Sequence, residues 1–199
     1  MAIKSSLRNM VLVLTLVCLG ASAAVAVVYA VTKDPIAAAS VAKTNKAIEE
    51  VVPQFDNNPS EEVLMVAADL QKPEETNKVY VAKKGGEVVG YAVESTTKKG
   101  FGGAFSIMVG FTPDGKVFNT SVLSHSETPG LGAKSTEPEW QAQFKGKALK
   151  DALAVTKQDP AKPNEIKAIT AATITSRAVV TGVNAAREDY MKNHANGKD

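Results

Sequence analysis

The sequence predicts an α+β chain: one membrane-spanning helix at the N-terminus, then a single domain built from an antiparallel sheet with flanking helices. Three observations carry this prediction. From Met10 to Val31 the chain has no charged residue, and Arg8 and Lys33 bound the run. Two later stretches, "NKVYVAKKGGEVVGYAVES" and "GGAFSIMVGFTPDGKVFNTSVLSHS", each pair two runs of strand formers around a glycine-bearing turn. The segment "ITAATITSRAVV", Ile169 to Val180, is rich in small hydroxyl side chains and then turns to apolar residues at helical spacing.

The elements follow in chain order. About 20 apolar residues cross a bilayer as a helix, so residues 10–32 read as an anchor, with 1–9 before it and one domain, 33–199, after it. The small residues of "ASAAVA", Ala21 to Ala26, offer signal-peptidase sites. The apolar run continues past them through Val27, Val28, Tyr29, Ala30 and Val31, which favours an anchor that is kept. Lys4 and Arg8 precede the run, while Lys33 beyond it is offset by Asp34. The positive-inside rule then puts residues 1–9 in the cytoplasm and the domain on the outer, periplasmic side of a cell inner membrane, as a single-pass protein.

Pro35 and the spacing of Ile36, Val41, Ile48, Val51 and Val52 predict a second helix from about residue 36 to 51, stopped by Pro53. Hairpin turns are expected at Lys84-Gly85-Gly86 and at Pro113-Asp114-Gly115. "TEPEWQAQFKGK" predicts a short helix capped by Thr136 with Pro138 in its first turn. "DALAVTK" reads as a strand and "QDPAKPN" as a loop. Thr175 or Ser176 is expected to open a C-terminal helix that runs to about Asn193, before a frayed tail, "HANGKD".

Composition removes several classes of function. Cys18 is the sole cysteine, which excludes an intrachain disulfide and any cysteine metal site, and no metal is expected. No basic stripe with interleaved aromatics is present, so nucleic acid is not indicated. His125 and His194 are the only histidines and no Ser-His-Asp pattern accompanies them, so no independent catalytic site is evident.

Two motifs remain. Thr170, Thr173, Thr175 and Ser176 crowd the start of the C-terminal helix, whereas capping needs one hydroxyl. Free N–H groups and the dipole also make such a helix end favourable for phosphate, and Ala171 and Ala172 leave room for close approach. Both readings stand on the residues alone. In "SHSETPGLGAK", Ser124 to Lys134, the residues Pro129, Gly130 and Gly132 make a tight turn after a predicted strand. That turn brings backbone N–H groups, His125, Glu127 and Thr128 toward one place, or simply closes a sheet edge.

"TAATITSRAVVTGV" resembles the [S/T]-G-A-T-x-[S/T] motif of covalent FMN-binding domains, and "SHSETPGLGAK" is similar to their E-T-P-G-L-G loop. "GFGGAFSIMVGFTPDGKV" looks like their glycine-bearing strand and hairpin. All three, in the chain order they have here and behind a membrane anchor, are found in G subunits of the Rnf (also called Rsx) electron-transport complex. The C subunit of the sodium-translocating NADH:quinone reductase shares the domain.

The resemblance implies an electron-carrier subunit of a membrane-bound, ion-translocating oxidoreductase complex. In that family a dedicated flavin transferase joins FMN through a phosphoester to the threonine that ends the four-residue [S/T]-G-A-T core of the motif, which corresponds to Thr173 here. Thr170, Ala172, Thr175 and Ser176 would surround the phosphate, and Glu127, Thr128, Gly130 and Leu131 would lie toward the flavin ring. Partners would be the membrane subunits and iron–sulfur subunits of the complex. Two departures stand out: Ala171 replaces the usual glycine, and Lys167 stands where an acidic residue is common, with Glu165 two positions before it. The competing readings are a membrane-anchored binding module without redox chemistry, a stand-alone extracytoplasmic flavoprotein, and the quinone-reductase C subunit.

Overall fold

Helix α1 runs without a break from Leu7 to Val51, so the anchor and the helix expected after it form one element. Pro35 lies inside α1 and removes one backbone hydrogen bond. The flanking "IAAAS" supplies good helix formers on the far side, and the helix continues through the proline. The computed structural model describes residues 6–61, 63–69 and 72–195, so Lys4 of the leading segment and the last four residues of the tail lie outside the described residues. The chain divides into two compact units, Met1–Ala42 and Lys43–Asp199. In the first, α1 is long and apolar enough to cross a membrane, and Leu12, Leu16, Val25 and Val31 are all exposed.

The second unit is organised by a five-stranded antiparallel sheet in the order β1-β2-β3-β4-β5: Val63–Asp69, Lys72–Lys84, Glu87–Gly100, Gly103–Thr112 and Lys116–Ser124. Both expected hairpins are present, and Gly85 and Gly86 take the positive φ that their tight turn needs. β1 was not foreseen in the sequence. The C-terminal part holds the short helix α2 (Pro138–Gln141), a parallel pair β6–β7 (Ala154–Thr156 and Glu165–Lys167), and helix α3 (Thr173–Ala195). α2 starts one residue later than expected: Glu137 is its cap, while the Thr136 hydroxyl donates to the Ala133 carbonyl and closes a preceding 3₁₀ turn, Gly132–Thr136.

Period-2 alternation divides the core between the two faces of the sheet. Val79, Val81, Tyr91, Val93, Phe105, Ile107, Val109 and Phe111 face α3, where Val179, Val180, Val183 and Tyr190 complete the cluster. Tyr80, Ala82, Ala92 and Met108 face the other way and meet Ala47, Ile48, Val51 and Val52, the last turn of α1 and the residue after it. Gly110 permits this second contact, because a Cβ there would overlap the Val51 carbonyl. Two side chains of β5 secure the helix end: Asn119 donates to the Glu50 carbonyl and Ser121 to the Glu50 carboxylate, each at 2.9 Å. Across the opposite face Asn77 donates to Asp189 of α3, whose carboxyl is pushed above its usual range chiefly by burial.

Candidate functional site

Three segments far apart in sequence meet at the start of α3. They are the turn Gly100–Gly103 between β3 and β4, the loop from Ser126 to Gly132, and the turn Ile169–Ala172 that leads into α3. Between them lies a cleft of about 300 Å³ lined by Phe101, Glu127, Thr128, Leu131, Gly132 and the residues from Ala171 to Thr175. Phe101, Leu131 and Ile174 are apolar and well exposed at its walls.

The four hydroxyls at the helix start have different fates. Ser176 is buried; its Oγ accepts from the Ile169 N–H at 2.9 Å and donates to the Ala172 carbonyl at 3.0 Å, which ties the leading turn to the helix. Thr175 is also buried, and its hydroxyl donates to Glu127 Oε2 at 2.6 Å. Thr170 is exposed and does not line the cleft. Thr173 is half-buried, lines the cleft, and among the described residues its hydroxyl has no hydrogen-bond partner. α3 begins at Thr173 rather than at Thr175 or Ser176, so the unpaired N–H groups of its first turn lie directly at this hydroxyl.

Glu127 is 7% exposed and holds two segments together. Besides Thr175, it accepts the Gly102 N–H on Oε1 at 3.2 Å, while its own N–H donates to His125 Nδ1 at 3.1 Å. His125 stacks on Phe105, so its ring supports the loop from behind rather than facing the cleft. The loop closes on itself, with the N–H groups of Leu131 and Ala133 both donating to the Thr128 carbonyl at 3.2 Å. Gly130 turns outward with φ of 76° and does not line the cleft. Thr128, Leu131 and Ala172 do.

The two departures from the family motif have structural answers. Ala171 takes φ of 62°, the only positive-φ residue other than glycine among those described. It therefore adopts the conformation that glycine would take, as the third residue of a turn closed by the Ala172 N–H donating to the Ile169 carbonyl. A left-handed alanine costs about 1 kcal/mol. Ala171→Gly is expected to raise stability by about 1 kcal/mol, a gain of about 2–4 °C in thermal unfolding. An unchanged or lowered melting temperature would contradict that strain. At the other departure, Lys167 pairs with Asp159 at 2.5 Å, and Glu165 accepts the N–H groups of Ala161 and Lys162. Neither side chain is part of the cleft.

Sequence reasoning missed Phe101, which only the sheet register brings beside Glu127, and Ile174, whose apolar side chain reads as helix core but is 53% exposed here. The exposed aromatic between two glycines in "GFGG" was the available signal for the first.

Comparison with known proteins then fixes the family. Residues 100–188, which contain the whole cleft, match the family model described as an FMN-binding domain, and residues 1–51 match the one described as the RnfG N-terminal region. The G subunit of the Na(+)-translocating ferredoxin:NAD(+) oxidoreductase complex of Acetobacterium woodii is 37% identical over 186 residues, which cover 90% of this chain and 89% of that one. This chain belongs to the RnfG family. A second RnfG relative, from the proton-translocating ferredoxin:NAD(+) oxidoreductase complex of Clostridium ljungdahlii, is 38% identical over 88% of this chain and 86% of its own. The fold also matches the crystal structure of the C subunit of the Na(+)-translocating NADH-quinone reductase from Parabacteroides distasonis, with a TM-score of 0.56 and 22% identity over 73% of this chain and 79% of that chain. For an RnfG chain the sheet domain described above is thus shared, at the level of the fold, with the quinone-reductase protein.

Proposed function

We propose that this chain carries electrons between subunits of an Rnf-type, ion-translocating membrane complex through an FMN joined to Thr173 by a phosphoester. One observation carries the site: Thr173 alone among the four hydroxyls both faces the cleft and is free of structural hydrogen bonds. The residues fit the group. The first-turn amides of α3 and its dipole favour a phosphate at Thr173 Oγ1. Phe101, Leu131 and Ile174 offer apolar surface for a flat ring, and the cleft volume falls at the lower end of the usual range for ligand sites. FMN, when bound, supplies reversible uptake of electrons. The chain's own part is to hold the phosphate end at the helix, to shield one side of the ring, and to set the electrostatic surroundings.

In this reading a flavin transferase installs the group, α1 anchors the chain in the cell inner membrane, and the sheet domain stands on the extracytoplasmic side. The partners are the membrane and iron–sulfur subunits of the complex, which fits the names of the relatives. The test is intact mass of the protein from cells that contain the flavin transferase. One FMN-sized adduct is expected in the wild type and in Thr170→Ala, and none in Thr173→Ala. An adduct that survives Thr173→Ala would move the attachment point. No adduct in any form would favour a binding module without redox chemistry.

A further inference from the structure

Glu127 presents a puzzle that its clamping role does not resolve. Buried glutamates are ordinarily paired with a cation, yet among the described residues no basic side chain forms an ion pair with Glu127. Both carboxyl oxygens are engaged, Oε2 by the Thr175 hydroxyl and Oε1 by the Gly102 N–H. Glutamine would span the same gap and could keep both contacts, because the Thr175 hydroxyl can also accept. It would do so without the desolvation cost of a charge. The backbone around the group is shaped to its size: a Cβ on Gly132 would overlap Glu127 Oε2, and one on Gly100 would lie 2.7 Å from Oε1. The same carboxylate lines the cleft.

Resting on the flavin reading above, we infer that Glu127 is a positioning residue whose negative charge lowers the reduction potential of the flavin held in this cleft. Reduction of FMN by two electrons with uptake of one proton adds one negative charge to the ring. A fixed carboxylate in the same partly dry cleft opposes that added charge. The hydrogen bonds from Thr175 and Gly102 keep the carboxylate in place and limit its exposure to solvent, so its field acts on the cleft.

The test is a spectroelectrochemical titration of the full-length flavinylated protein in detergent, with dithionite as reductant. Each dithionite supplies two electrons and leaves as two sulfites. Glu127→Gln is expected to raise the midpoint potential, with at least a tenfold larger ratio of reduced to oxidised flavin at a fixed ambient potential, equivalent to about 30 mV for a two-electron couple. Glu127→Asp, which keeps the charge, and Thr175→Val, which keeps the carboxylate but removes one donor, are expected to stay at or below the wild-type potential. An unchanged potential in Glu127→Gln, or an equal rise in Thr175→Val, would overturn the inference. So would a Glu127→Gln protein that fails to fold while Glu127→Asp folds, since the charge would then serve the fold. Absence of an FMN adduct in the wild type would instead sink the flavin reading, and this inference with it.

Discussion

A chain that begins at Gln54 is expected not to fold, whereas one that begins at Lys43 is expected to fold as a soluble domain. The second face of the sheet is covered by Ala47, Ile48, Val51 and Val52, all nearly inaccessible to solvent. Burial of a valine or isoleucine stabilises by about 1.5–3 kcal/mol, so the three branched residues together contribute about 5–9 kcal/mol. That is comparable to the whole stability of an ordinary domain, about 5–15 kcal/mol. The shorter chain would also expose Tyr80, Met108 and Leu123 and leave Asn119 and Ser121 without the helix end they hold. Circular dichroism and size-exclusion chromatography of the two fragments decide the matter. Cooperative thermal unfolding of the shorter fragment would show that α1's last turn is dispensable.

Gly132→Ala is the second change with a large expected effect. Its new methyl would overlap Glu127 Oε2 and lie 2.6 Å from Thr175 Oγ1, the two ends of the hydrogen bond that joins loop and helix. Overpacking of this kind costs about 1–3 kcal/mol, and here it also forces apart the walls of the cleft. The expected outcome is a melting temperature lower by about 2–12 °C, together with, in the flavin reading proposed above, at least a tenfold slower incorporation of FMN by the flavin transferase. Gly130→Ala supplies the comparison. It meets nothing within 4 Å and carries only the strain of φ near 76°, so its flavin incorporation should stay near wild type. Equal losses in both variants would mean that general destabilisation, not the clamp, governs loading.

The strands that alternate strictly were legible in the sequence. Val79 and Val81 on one face and Tyr80 and Ala82 on the other leave little choice of structure. β1 was not legible, because "VLMVAAD" has no alternation and becomes a strand only beside β2. β7 is three residues long and gives no periodic signal. The start of α3 was displaced by two or three residues for a chemical reason. Any of Thr170, Thr173, Thr175 and Ser176 can cap a helix, so local preference alone does not choose among them, and the bonds to Glu127 and Ile169 do. The candidate site was legible as a pair of motifs, and their meeting was implied only by resemblance. The unpaired burial of Glu127 and the exposure of Phe101 depend on the β3–β4 turn folding over a loop some 25 residues downstream, as the bond from Gly102 to Glu127 does.

In the flavin reading proposed above, the differing fates of the four hydroxyls would solve a problem of regioselectivity. Four chemically similar alcohols lie within seven positions, and an electrophile that approached the unfolded segment would find little to tell them apart. In the folded domain, Thr175 has committed its proton to a carboxylate and Ser176 is occupied on both sides, so each is masked much as a synthetic chemist would mask it. Thr170 is exposed but lies off the cleft, and Thr173 remains the one unmasked alcohol at its edge. The native hydrogen bonds thus do the work of protecting groups. A modifying enzyme that meets the folded domain can rely on the fold for its choice of residue, and needs only to deliver the phosphoryl group to that corner.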